Sequence, residues 1–319
     1  MKYVILSLFL FNSLWANSLD IIELYRTQGI SAVEQEIAKQ LKTKRYWDYN
    51  LANKDVTNGY YESIQYVMIC QKDMKDIKLY DTKNKKQLFD SSVFIGKANG
   101  DKKVEGDLKT PLGAYNITKR ITKIDQFYGP LALTTNYPNL YDKSQGKTGH
   151  GIWIHGLPFK EERDDYTEGC IALDNDKITT LDKKINIKNS VLVISENKLE
   201  EVSKNDLSIV LSSVFKWRDA WKYNDLNSYL SFYDQDFQKA NGQRIEEFKK
   251  FKKNIFNRKE HKSIRFYNIN VIPYPNDLNK KLFKVIMDEE YKTKRYKFVG
   301  KKLLYLEVKN NHISILAES

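Results

Sequence analysis

The sequence predicts an α+β protein in which a mainly β domain stands between a short N-terminal helical segment and a C-terminal α+β domain. Three observations carry this. Short apolar runs separated by Gly, Asp, Asn and Lys turns fill residues 61–196, a strand pattern with few helical interruptions. Helical periodicity flanks them, within 17–60 and again from 206 onward. In the final segment, 206–319, helices come first and alternating runs afterwards, an order that gives α+β packing. At 319 residues, 41% apolar and 29% charged, the chain is long enough for two domains and a smaller piece, with cores of their own.

The elements follow in order. Lys2 precedes an apolar run from Tyr3 to Phe11, and the small residue Ala16 closes the segment, so residues 1–16 are expected to be a secretory signal peptide. The run is too short for a membrane span, nothing later is apolar enough to be one, and the mature chain is expected in the periplasm or outside the cell. Residues 18–42 then read as a helical hairpin: Ile21, Ile22, Leu24 and Tyr25 lead to a break at Gly29, and Ser31 and Glu34 have capping-box spacing. Val33, Ile37 and Leu41 form a stripe that two short helices cannot bury alone. It must pack on another domain or on a second copy of the chain, so a homodimer is one of two outcomes.

Strands are expected at 64–69, 77–80, 87–95, 113–118, 151–155 and 190–195, followed by a polar linker at 197–205. Val210, Val214, Trp217 and Trp221 share one helix face; Leu226, Tyr229, Leu230 and Tyr233 continue into a second helix, and 245–255 into a third. Four strands should end the chain, at 264–272, 282–287, 303–308 and 312–316.

Charge and cysteines narrow the function. Of the net charge of +12, residues 206–319 hold most, with 23 Lys and Arg against 14 Asp and Glu, a net of +9. Such a surface is either simply solvated or suited to an acidic polymer or anionic lipid; export and the lack of a recognition motif exclude nucleic acid. Cys70 and Cys170 could bridge, but a long exported chain needs no single disulfide. Cys70 sits in an apolar run and reads as a small core residue, which leaves Cys170 for chemistry.

The chemistry concentrates in Gly149-His150-Gly151-Ile152-Trp153-Ile154-His155-Gly156 and Thr167-Glu168-Gly169-Cys170-Ile171-Ala172-Leu173. A histidine ending a strand faces a cysteine that follows a glycine, the layout of a nucleophile with its base. The imidazole can take the thiol proton and later protonate a leaving amine. Gly169 lets the backbone approach closely, so the Gly169 and Cys170 amides are candidate oxyanion donors. With no Asp partner in view, a backbone carbonyl such as that of Gly156 could fix the tautomer. His150 is the competing base, but five residues from His155 it would face the other side of a continuous strand. Trp153 shares the His155 face, where it either walls the pocket or packs in the core. The pair needs no metal or cofactor, and none is expected.

Further blocks precede these: Gly96-Lys97, then Gly106-Asp107-Leu108-Lys109-Thr110-Pro111-Leu112-Gly113-Ala114-Tyr115-Asn116-Ile117. Together with His155-Gly156 and Gly169-Cys170-Ile171-Ala172-Leu173, they resemble the L,D-transpeptidase (YkuD) family over residues 62 to 196. The resemblance implies that Cys170 attacks the bond between the third stem residue of peptidoglycan and the terminal D-alanine. It implies His155 as base and acid, with the Gly156 carbonyl orienting it. Two departures stand out, Thr167-Glu168 where many members have Ser-His, and Ala172 where Arg or Asn is frequent; they are expected at the lips of the pocket and bear on the acceptor. The C-terminal third is similar to the nuclear transport factor 2-like fold, whose cone often encloses a pocket. The whole layout resembles the cell-shape L,D-carboxypeptidases of curved and helical Gram-negative bacteria. That implies water as acceptor, stem peptides as substrate, and an accessory domain that anchors the enzyme on peptidoglycan, through glycan among other contacts. A transpeptidase and a non-catalytic wall-binding scaffold are the alternatives.

Overall fold

A computed structural model describes residues 20–160 and 164–319; the expected signal peptide lies outside the described residues. Helix α1 (residues 20–28) ends at Gly29, whose φ of 80° suits glycine, and α2 (Ile30–Leu41) starts directly after it. No side chain caps α2, so the capping box expected of Ser31 and Glu34 is not formed: Ser31 already lies inside the helix. Helix α3 (Lys44–Leu51) is capped by Thr43, whose side chain accepts from the Tyr46 amide.

The mainly β domain is one eight-stranded sheet in the order β4-β3-β2-β9-β5-β6-β7-β8. Its strands are β2 (Tyr66–Gln71), β3 (Asp76–Asp81), β4 (Lys86–Ser92), β5 (Gly113–Ile121), β6 (Ala132–Thr135), β7 (Trp153–His155), β8 (Ile171–Ala172) and β9 (Ser190–Ser195). Pairing is antiparallel except for β2 with β9 and β7 with β8. Strands β6 and β8 were not expected; each is too short for alternation to show. Helices α4 (Leu140–Ser144) and α5 (Asn175–Lys184) also interrupt the pattern. On β2, Met68 and Cys70 face a core closed by Ile178 and Leu181 of α5, while Val67 and Ile69 face the opposite way.

The C-terminal domain opens with α6 (Lys204–Lys222), capped by Ser203, and α7 (Leu226–Leu230). Tyr233 does not continue that helix. It begins β10 (Tyr233–Lys239), where it pairs in parallel with Ile315 and its hydroxyl meets Trp217, Tyr229 and Glu318, a buried polar set no solvent-facing helix could supply. After α8 (Ile245–Phe256) come β11 (Ser263–Pro273), β12 (Leu282–Lys292), β13 (Lys297–Lys309) and β14 (His312–Glu318). With β1 (Tyr60–Tyr61) they form a six-stranded sheet, β1-β11-β12-β13-β14-β10.

The N-terminal segment therefore packs on the C-terminal domain: β1 joins its sheet, and Trp47 stacks on Phe215 of α6 at 5.7 Å. The expected stripe is covered only in part, with Val33 buried and Ile37 46% exposed. The two sheets share a further core, where Val67, Ile69, Val191 and Val193 meet Ile272, Tyr274, Tyr305 and Leu316. Across it Lys284 donates to the Ala114 carbonyl and to Asn116, and Tyr274 donates to Asp142.

Candidate active site

His155 ends β7 and Cys170 immediately precedes β8. The parallel register sets Ile154 opposite Ile171 and His155 opposite Ala172, which leaves Cys170 alongside Trp153. The backbone N–H of Trp153 lies 3.5 Å from Sγ of Cys170, and the thiol donates to the Gly151 carbonyl at 3.2 Å. A backbone N–H aimed at sulfur favours the thiolate, while the carbonyl holds the proton in the resting thiol. Gly151 can present that carbonyl because its φ of 71° curls the chain just ahead of β7.

The imidazole of His155 is buried, with Nδ1 2.6 Å from the Gly156 carbonyl oxygen. That oxygen can only accept, so in the neutral ring Nδ1 carries the hydrogen and Nε2 is the basic nitrogen. Packing fixes the carbonyl. The Asn175 side chain bonds both the N–H and the C=O of Leu157, and a Cβ on Gly156 would come within 2.3 Å of Asn175 Oδ1. The Gly156 N–H in turn donates to the Tyr128 carbonyl. Tyr128, absent from the sequence-based candidates, sets its ring edge-on to His155 at 5.1 Å and 87°, and equally near Trp153. Only its neighbours Gly129-Pro130, a turn signal ahead of a strand, hinted at a constrained position.

Three expectations need correction. Thr167 is buried beneath the cysteine loop: its hydroxyl donates to the Cys170 carbonyl at 2.7 Å and accepts from the Gly169 amide at 3.0 Å. It therefore shapes the loop and does not line the pocket. The same bond engages the Gly169 N–H, so that amide is no oxyanion donor in this arrangement. Ala172 is fully buried and pairs with Phe94 through both backbone groups, away from any lip. Glu168 is exposed beside the cysteine, and Trp153 is half-buried. His150 is exposed on the loop before β7, 3.8 Å from Glu105, and so does not lie in one continuous strand with His155. Gly169 does need to be glycine: its φ is 132°, and a Cβ would meet the Lys109 carbonyl at 2.7 Å.

The preceding block braces this corner. Thr110 Oγ1 accepts from the Gly96 amide, and a Cβ on Gly96 would strike the Leu108 carbonyl at 2.5 Å. Asp107 accepts from the amides of Lys103, Val104 and Lys109 and from the Lys102 ammonium. Burial would raise its carboxyl, but these bonds outweigh it and bring the pKa to about 2. Cys70 is free, fully buried, and pushed by burial up to about 12, which makes it inert.

The C-terminal domain holds a cavity of about 440 Å³ whose lining includes Trp221, Lys252, Glu289, Tyr291, Lys302 and Glu318. Lys252 sits 4.9 Å from the ring centres of both Trp221 and Tyr229, and burial lowers its pKa to about 8. Burial would raise Glu318, but Lys302 and Lys252 prevail and hold it ionised.

Fold and site thus define a mainly β domain, carrying Cys170 and His155 at neighbouring strands, docked on a C-terminal α+β domain. Residues 65–193 match the L,D-transpeptidase catalytic domain (YkuD), and residues 209–319 match the Cds6 C-terminal NTF2-like domain. The helical cell shape determining protein Pgp2 of Campylobacter jejuni is 38% identical, over 87% of this chain and 99% of that one, with a TM-score of 0.82. Bd1075 of Bdellovibrio bacteriovorus is 26% identical over 83% of this chain and 96% of its own, with a TM-score of 0.67. YafK of Escherichia coli K12, provisionally named an L,D-transpeptidase, is 34% identical over 79 residues, which is 25% of this chain and 29% of YafK. The chain belongs to the L,D-transpeptidase (YkuD) family and carries a C-terminal NTF2-like domain. Among the described residues no helix is long and apolar enough to cross a membrane.

Proposed function

We propose that this protein is a periplasmic peptidoglycan L,D-carboxypeptidase that removes the terminal D-alanine from tetrapeptide stems and so influences cell shape. The observation that carries the reading is the Nδ1 contact of His155 with the Gly156 carbonyl, which leaves Nε2 as the base on the strand beside Cys170. Cys170 loses its proton to His155 and attacks the carbonyl of the third stem residue. The Cys170 amide steadies the oxyanion, and His155 returns the proton to the departing D-alanine amine. Water, activated by the same imidazole, then hydrolyses the thioester to a tripeptide. Hydrolysis is favoured by the exposed Glu168 in place of the family's frequent histidine, and the role in cell shape by the likeness to Pgp2 along 87% of the chain. The basic cavity of the cone, with Lys252 and Lys302 inside it, suits an anionic wall group and would anchor the enzyme.

The provisional name of YafK supports the second reading, transfer to an amine with 3-3 cross-links as product. Incubating the purified protein with disaccharide-tetrapeptide separates the two. Tripeptide and free D-alanine in equal amounts are expected, with both absent for Cys170→Ala; a cross-linked dimer as the main product would sink the carboxypeptidase reading.

A further inference from the structure

Two segments of the mainly β domain hold the cysteine. The one entering β7 supplies the Gly151 carbonyl that accepts from the thiol and the Trp153 amide aimed at sulfur. The one entering β5 supports the cysteine loop: the Lys109 carbonyl lies 2.7 Å from where a Cβ on Gly169 would stand, and Thr110 accepts from Gly96, which bridges Thr167. Pairing with Thr134 of β6 fixes Trp153. Upstream, Gly149 and Gly151 have φ of 91° and 71°, with only the exposed His150 between them, so the Gly151 carbonyl would swing unless the chain before it were held.

A buried ion cluster holds it. The Lys147 ammonium meets Asp101 at 2.6 Å and Asp142 at 2.9 Å, with none of the three side chains more than 6% exposed. Asp101 also accepts from the Leu112 amide just ahead of β5, and Thr148 bonds to the backbone of Lys103 and Glu105, so the cluster ties the two segments together. One ammonium between two buried carboxylates leaves a negative charge that needs further donors. Lys103 and the Leu112 and Asn139 amides supply some. The accessory domain supplies one more. Tyr274, which follows β11 and is 3% exposed, donates to Asp142 at 3.0 Å while accepting from the Asn139 side chain at 2.9 Å. Its ring also packs on the other segment, where a Cβ on Gly113 would come within 2.6 Å of it.

We propose that Tyr274 is a positioning residue of the thiol site: through this one phenol the accessory domain sets the two segments that present the Gly151 carbonyl and the Gly169 turn to Cys170. The hydroxyl acts through Asp142 and Lys147, and the ring through Gly113. One domain carries the reacting groups, and the domain docked on it completes their geometry. The consequence for turnover rests on the function proposed above; the consequence for thiol reactivity does not.

The test compares Tyr274→Phe, which keeps the ring, with Tyr305→Phe in the full chain. Tyr305 is buried in the same junction, its ring 5.5 Å from that of Tyr274, and its hydroxyl has no hydrogen-bond partner among the described residues, which makes it the matched control. In Tyr274→Phe, kcat for D-alanine release should fall about tenfold, less than the roughly hundredfold that a displacement of about 1 Å costs, with KM little changed. Alkylation of Cys170 by iodoacetamide should quicken several-fold, because a thiol relieved of the acceptor that holds its proton ionises more readily. Cys70, fully buried, should stay unmodified by mass spectrometry, the sign of an intact fold. Tyr305→Phe should match the wild type in both assays. Unchanged kcat or unchanged alkylation in Tyr274→Phe, equal changes in the two variants, or modification of Cys70 alongside Cys170 would overturn the proposal. If the wild type releases no D-alanine yet Cys170 alkylation still separates the two variants, the positioning role stands and the reaction assigned above fails. D-alanine release that neither variant alters is the reverse.

Discussion

Gly156 links backbone geometry to the orientation of the His155 imidazole at the scale of one residue. Its need for glycine is steric: an added Cβ would lie 2.3 Å from Asn175 Oδ1 and 2.7 Å from Pro130 Cδ. Gly156→Ala must therefore move the carbonyl that holds Nδ1 of His155. A displacement of about 1 Å at a catalytic group lowers turnover on the order of a hundredfold. We expect that loss in kcat with KM little changed, measured as D-alanine release, and a far deeper loss for Cys170→Ala, which removes the nucleophile. An unchanged kcat for Gly156→Ala would show that the carbonyl does not orient the base. The His155-Gly156 and Gly169-Cys170 pairs were legible in the sequence because each is a contiguous motif. The Gly151 carbonyl, the Trp153 amide and the Tyr128 ring were not, since backbone groups have no letter of their own and Tyr128 meets His155 only once β6 pairs with β7. Thr167 and Ala172 were misplaced for a related reason: adjacency to Cys170 in sequence does not say which way a side chain points.

At the scale of elements, long alternating runs gave strands close to those observed, with Ser190–Ser195 matching at both ends. Short elements failed where tertiary contacts override local pattern. Strand β8 has two residues and exists because Ile171 and Ala172 pair with β7, while Ala172 also bridges Phe94. Helix α3 has eight residues, below the length at which an isolated helix persists, and is held by Trp47. This indole is 5% exposed, stacks on Phe215 and donates to the Leu41 carbonyl. Trp47→Ala is expected to lower unfolding free energy by about 3–5 kcal/mol, read from urea denaturation of the full chain. A change under about 1 kcal/mol would mean that α3 is peripheral to the C-terminal core.

At the scale of the whole molecule, the two sheets are joined by a buried core, so the accessory domain covers an apolar face of the catalytic sheet and is not a freely tethered appendage. Removing residues 206–319 would expose Val67, Ile69, Val191 and Val193, which makes point variants the sounder probe of anchoring. The junction also contains a titrating group. Lys284 is fully buried between Ala114 and Asn116, and burial lowers its pKa to about 7, against about 10.4 in an unfolded chain. Below pH 7 both states hold the proton and the penalty of the buried ammonium is present in full. Between the two values the unfolded chain binds more protons, so stability should rise with pH by up to ~1.4 kcal/mol per unit. In Lys284→Met that rise should vanish, and the variant's stability between pH 7 and 9.5, measured by denaturant titration, should run flat relative to the wild type. Parallel curves would mean that Lys284 keeps its charge at the junction, with the Ala114 carbonyl and Asn116 stabilising the ammonium more than burial destabilises it.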